Sequence, residues 1–95
     1  MGRRIVGKAV AARFGQNLLE ARRKAGLAQA ELAQRSSLHP TYVSHMEQGR
    51  RLPRIDTVVR LAGALNVGVG ELVRGIEWSP PPSPPSGSFA TRPAA

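Results

Sequence analysis

From Val10 to Leu72 the apolar residues return every three or four positions, the spacing that lines one face of an α-helix. Val10, Phe14, Leu18, Ala21 and Ala25 fall within about 80° of one another on a helical wheel, which predicts a core-facing helix of about four turns closed by Gly26. A second helix is predicted over 29–36 with Leu32 and Ala33 inward. A third runs from Pro40 to Gln48, opened by a proline suited to a first helical position and stopped by Gly49. A fourth, over 55–65, turns Ile55, Val58, Leu61, Ala62 and Leu65 to one side, with Asn66 placed to take a left-handed cap. The fifth, over 69–74, is short and contains Gly70. No alternating run predicts a strand, so the expected fold class is all-α, a compact domain of five helices over residues 10–78.

Both ends leave this pattern. Residues 1–9 carry Arg3, Arg4 and Lys8 with no acid, and read as a basic N-terminal arm or the frayed start of the first helix. Residues 79–95 are mostly proline, serine, glycine and alanine, with too little apolar surface to offset the entropy of ordering. They read as a disordered tail of polyproline II character, in which Pro81 and Pro84 give a PxxP spacing open to a groove-type partner.

The third helix has two unlike faces. Tyr42, Val43, Met46 and Glu47 occupy one half of its wheel, and Val43 and Met46 demand burial. Pro40, Thr41, Ser44, His45 and Gln48 occupy the other, a strip of short hydroxyl, amide and imidazole side chains. Such groups match the donors and acceptors on base edges in a DNA major groove, which is wide enough to admit a helix. An ordinary solvated face is the competing reading until context is added.

Charge adds that context. The chain has 14 Lys plus Arg against 6 Asp plus Glu, a net +8, which draws it to polyanions, nucleic acid foremost. Arg50, Arg51 and Arg54 follow the third helix with no acid among them, a run suited to phosphates. There is no cysteine, which removes disulfide frameworks and thiolate metal sites and suits a cytoplasmic location. Lys8 and Arg13 break any apolar signal core, and no export, lipid-anchor or membrane-spanning segment is expected. His39 and His45 are six apart with no acid to complete a metal set, and neither a phosphate loop nor a nucleophile elbow appears. The expectation is a protein that is not an enzyme and uses no cofactor or metal. Aromatic residues number only four, Phe14, Tyr42, Trp78 and Phe89, too sparse for a surface that stacks single-stranded RNA.

Helices two and three, joined by the brief turn Ser37–His39, have the helix-turn-helix arrangement. With "GLAQAELA" at 26–33, "YVSHMEQG" at 42–49, Pro53 and "LAGALNV" at 61–67, and with Gly15, Leu18 and Arg22 ahead of them, the chain resembles the Xre family, the Cro and phage-repressor type. That resemblance implies a repressor-like five-helix domain that binds double-stranded DNA as a repressor or other transcriptional regulator, usually as a homodimer on a palindromic operator. It implies base reading by Pro40, Thr41, Ser44 and His45. Phosphate contacts are implied for Gln29 and Gln48 and the loop beyond them, with Tyr42 at the groove's edge beside Arg50, Arg51 and Arg54. It also implies a structural ion pair between Arg22 and Glu47. The alternative is an antitoxin or other protein-binding subunit built on the same domain. Leu72, Val73, Ile76 and Trp78 offer a candidate dimer contact at the end of the helical region.

Three residues depart from the family pattern. Ala28 stands where a Ser or Thr commonly caps the second helix, forgoing about 1 kcal/mol. Ser37 stands in place of a turn glycine, where a left-handed backbone costs it roughly 1 kcal/mol. Pro40 takes the place of a long polar reader.

Overall fold

The computed structural model of the chain describes residues 2–82 and 87–92, with side chains from Gly7 onward. Five helices come first: α1 (Gly2–Lys24), α2 (Gln29–Ser36), α3 (Pro40–Glu47), α4 (Ile55–Leu65) and α5 (Val69–Leu72). Two strands follow, β1 (Ile76–Ser79) and β2 (Ser88–Thr91). The expected helices are all present, and α1 begins at Gly2, continuous with the segment expected as an arm or frayed start. Helix α5 stops at Leu72, two residues short of the expected end.

The core gathers Phe14 and Leu18 from α1, Leu32 and Ala33 from α2, Val43 and Met46 from α3, Val58, Leu61, Ala62 and Leu65 from α4, and Leu72 from α5. Each sits at the spacing that built its helix, and burying one such side chain contributes about 1.5–3 kcal/mol. Two members of the expected stripes are elsewhere. Ala25 is exposed, because the helix ends one residue earlier at Lys24. Ile55 is 71% exposed, because at the first residue of α4 no element lies over it.

Chain reversals are set by local backbone chemistry. Gly26 takes φ +73° after α1, and Leu27 N–H donates to the Arg22 carbonyl at 3.2 Å. Ser37 takes the left-handed conformation, φ 57° and ψ 45°, after α2, and Asn66 does the same after α4. These caps satisfy terminal carbonyls that the helices leave unpaired. The uncapped start of α2 is half mended, because Glu31 accepts from the Ala28 N–H at 2.9 Å, the one arm of a capping box that alanine permits.

Two strands stand where none was expected, β1 at the end of the domain expected to be all-helical with only Ser79 in the tail, and β2 within the segment expected to be structureless. They pair antiparallel with Ile76 opposite Thr91 and Trp78 opposite Phe89, and the two rings meet edge to face with centroids 5.0 Å apart. Gly87 lies against the Trp78 ring, where a Cβ would come within 2.1 Å of it. Composition alone missed this: a single aromatic cross-strand pair, with β2 resting on α1, stabilises a segment whose mean content is polar. Residues 83–86 and 93–95, including Pro84 of the PxxP spacing, lie outside the described residues.

Candidate nucleic-acid interface

Helix α3 is seated by α1. Gly15 of α1 lies so close that a Cβ on it would stand 2.3 Å from the Met46 carbonyl oxygen and 2.8 Å from that of Glu47. One turn earlier, Ala12 touches Gly49, whose φ of +75° ends the helix. Beside this contact Arg22 Nε donates to Glu47 Oε2 at 2.6 Å and Nη2 to Oε1 at 3.0 Å, while Nη1 donates to the Leu27 carbonyl at 2.8 Å. The two side chains are 13% and 4% exposed, so the pair is buried and bidentate, and its outer donors are satisfied. The hydrogen bonds to Glu47 raise the Arg22 pKa above its ordinary value, although burial opposes this.

With Val43 and Met46 fully buried, the opposite side of α3 must face outward. Pro40 and Thr41 are exposed, Ser44 and His45 half-buried. His39 caps the helix, its Nδ1 accepting from the Thr41 N–H at 3.1 Å, so the backbone donor is used and the Thr41 hydroxyl is not. Gln48 Nε2 donates to Ser44 Oγ at 3.1 Å, which ties two of the expected contact residues to each other. The outward face is thus a short polar strip on a helix whose orientation is fixed from behind.

The expected phosphate contacts surround it unevenly. Gln29, at the first position of α2, donates to Glu47 Oε1 at 2.8 Å; one N–H of its amide is held by the buried pair, and the second donor remains. Arg50 and Arg51 are exposed, and the Arg51 guanidinium lies 5.4 Å from the centroid of the Tyr42 ring, a cation–π contact that holds both at the edge of α3. Arg54 pairs with Asp56 at 3.3 Å, but at 86% and 52% exposure that pair is easily exchanged for another anion.

Three positioning residues were not singled out from the sequence. Asn17, 2% exposed, donates to the carbonyls of Leu72 and Arg74 at 3.0 and 2.9 Å and so ties α1 to the end of α5. Arg60 reaches the carbonyls of Ser36 and Ser37, at 3.4 and 3.3 Å, and supports the turn ahead of α3. His39, too far from His45 in sequence to share a metal with it, caps α3 instead. Asn beside an apolar stripe and His immediately before Pro40 were the available signals.

The arrangement of α2, turn and outward-facing α3 defines a DNA-binding helix-turn-helix, and the helix-turn-helix family HTH_3 matches residues 18–72. The uncharacterized HTH-type transcriptional regulator y4dJ of Sinorhizobium fredii is 41% identical over 66 residues, 70% of this chain and 86% of that protein. Among solved structures, the restriction-modification controller protein C.AhdI of Aeromonas hydrophila superposes with a TM-score of 0.66 at 39% identity, over 67% of this chain and 97% of that one. The hypothetical transcription factor NHTF from Neisseria gives 0.64 at 31% identity, over 67% and 74%. The chain belongs to the HTH_3 family, of Xre/Cro type. It binds double-stranded DNA in the regulation of transcription, and it is not an enzyme. Among the described residues no helix is long and apolar enough to cross a membrane.

Proposed function

We propose that this protein is a repressor that binds a palindromic operator as a homodimer in the cytoplasm, with α3 of each copy in the major groove. Thr41, Ser44 and His45 read base edges, and Pro40, lacking a polar group, contributes apolar contact at the helix start. Gln29, Gln48, Arg50, Arg51 and Arg54 hold phosphates, with Tyr42 packed at the groove's edge. The observation that carries this reading is the polar outer strip of a helix whose inner side is locked to α1 by Gly15 and by the Arg22–Glu47 pair. Occupancy of a promoter by so compact a domain blocks it, which is repression in its simplest form.

A second exposed apolar set competes with the dimer face suggested by the sequence. Of the patch suggested by the sequence, Leu72 is fully buried and Ile76 packs on the core, whereas Trp78, edge to face with Phe89, stays 53% exposed and Val73 38%. Leu52, Ile55 and Val59, in the α3–α4 loop and the first turns of α4, are 50%, 71% and 54% exposed, and this is the face proposed for the dimer. A second copy seated there on a twofold axis brings two α3 helices to the same side of the dimer, as two half-sites one DNA turn apart require.

The test is an alanine series on sites selected from random duplex DNA. His45→Ala or Thr41→Ala is expected to lose on the order of 1–3 kcal/mol on the selected operator and little on random sequence. Arg50→Ala is expected to weaken binding to every sequence alike and to flatten the salt slope by about one. Full operator preference in folded His45→Ala and Thr41→Ala would overturn the assignment of α3 as reader.

A further inference from the structure

Helix α1 reaches far ahead of residue 18, where the family match begins. Ahead of Glu20 it carries Arg3, Arg4, Lys8 and Arg13 and no acid, and its first turn contains none. That distribution works against the helix, since a helix start favours acids and disfavours a net positive charge. Local helix stability therefore does not account for it.

The packing shows which way this segment extends. Gly15 lies over the carbonyls of Met46 and Glu47, and Ala12 lies against Gly49, so each step toward the start of α1 moves past the end of α3. Lys8 is exposed and stands one turn before Ala12 on the same side of the helix, about 6 Å farther along. The direction set by those two approaches carries it past Gly49, toward the side on which the exposed Arg50 and Arg51 follow.

We infer that the first two turns of α1 are a second phosphate-binding element, which continues the Arg50–Arg51 strip onto duplex DNA outside the bases read by α3. This rests on the proposed placement of α3 in the major groove. The ligand is the sugar-phosphate backbone of flanking DNA, recognised by charge and without regard to sequence. The segment lengthens the footprint and raises affinity while leaving the operator's identity to α3.

The experiment uses the full chain, its Lys8→Gln variant, the triple variant Arg3→Gln, Arg4→Gln, Lys8→Gln, and the charge-preserving Lys8→Arg. Each is titrated on two duplexes, one trimmed at the outer edge of the selected operator and one extended on both sides. The unaltered chain and Lys8→Arg are expected to bind the extended duplex about tenfold more tightly than the trimmed one at low salt. The triple variant is expected to bind both equally, with a log–log salt slope smaller by about two to three and unchanged preference among operators; Lys8→Gln falls between. Circular dichroism should show no loss of helix, because a helix start disfavours the positive charge that is removed. A triple variant that still prefers the extended duplex, or keeps the full salt slope, overturns the inference. So does tighter binding of the unaltered chain, but not the triple variant, to anionic lipid vesicles with no dependence on flanks. If flanks are irrelevant while His45→Ala and Arg50→Ala behave as described, this inference alone fails. If those two variants also leave binding unchanged, the placement of α3 fails with it.

Discussion

Against α1, helix α3 meets a glycine with no room for a Cβ and a buried ion pair with its donors satisfied; against α2, it follows a turn with a left-handed serine and a helix whose N-cap is alanine. The first junction sets the orientation of α3 relative to the rest of the domain. The second joins neighbours already adjacent in sequence, where an imperfect residue costs only about 1 kcal/mol. Precision is concentrated where a tilt of α3 would carry its polar strip out of register with base edges, and slack is left where the covalent chain itself limits movement.

The largest effect is expected from breaking the ion pair. Glu47→Ala leaves the Arg22 guanidinium, 13% exposed, without its anion and frees the Gln29 amide. A loss of about 3–5 kcal/mol follows, most of the stability of so small a domain. Urea denaturation measures it. Replacing both partners by apolar residues of similar size, as in Arg22→Met with Glu47→Leu, should recover much of that loss. A Glu47→Ala variant within about 1 kcal/mol of the parent would show that the pair carries no such weight.

Gly15→Ala is expected to lose about 3 kcal/mol, because the added Cβ meets backbone carbonyls 2.3 and 2.8 Å away that cannot move unless α3 moves. Operator preference should fall with it even at temperatures where the variant is folded. The same substitution in α4, Gly63→Ala, has nothing within 4 Å of the new Cβ and should gain about 0.5–1 kcal/mol from helix propensity. Thermal denaturation of the two variants side by side tests the contrast. Equal effects would mean that the α1–α3 contact is looser than its geometry.

Residues 18–72 were largely legible in the sequence because α1, α3 and α4 each carry a periodic stripe and a stop, Gly26, Gly49 and Asn66. The outward strip of α3 was legible by subtraction, once Val43 and Met46 had claimed the other side. What escaped depends on partners far apart in sequence. Asn17 finds its carbonyls 55 and 57 residues later, and Trp78 is turned toward Phe89 by a chain reversal that proline-rich composition does not announce. Ile55 shares the apolar side of α4 yet is 71% exposed, because periodicity gives the side of a helix and cannot say where its neighbours end. Gln29 was expected only at a phosphate, yet its amide is joined to Glu47, a contact visible only when the two junctions of α3 are seen together.

The α2–α3 turn should respond in the opposite direction to the α1 contact, by improving. Ser37 holds φ 57° with its side chain exposed, and its carbonyl, not its hydroxyl, meets Arg60. Ser37→Gly removes the left-handed strain, keeps that contact, and is expected to add about 1 kcal/mol net of the extra freedom glycine brings to the unfolded chain. A rise in melting temperature of about 4–8 °C would register it. A fall would mean that the serine is stabilised by something other than its backbone.

The smallest expected change is at Ala28, and it separates folding from binding. Its backbone is already extended, φ −75° and ψ 162°, as a capping residue requires, and its N–H is already bonded to Glu31. Ala28→Ser supplies the missing half of the capping box, a hydroxyl that accepts from the N–H of Glu31, and should add about 0.5–1 kcal/mol. If a phosphate sits at the start of α2, it uses the Gln29 side chain and the first N–H groups, which that hydroxyl leaves untouched. Affinity for DNA should then stay within about twofold of the parent, while urea denaturation shows the gain. A uniform loss of affinity on all sequences, with stability raised, would instead mean that the open end of α2 is itself a phosphate seat, and that the absent cap serves binding.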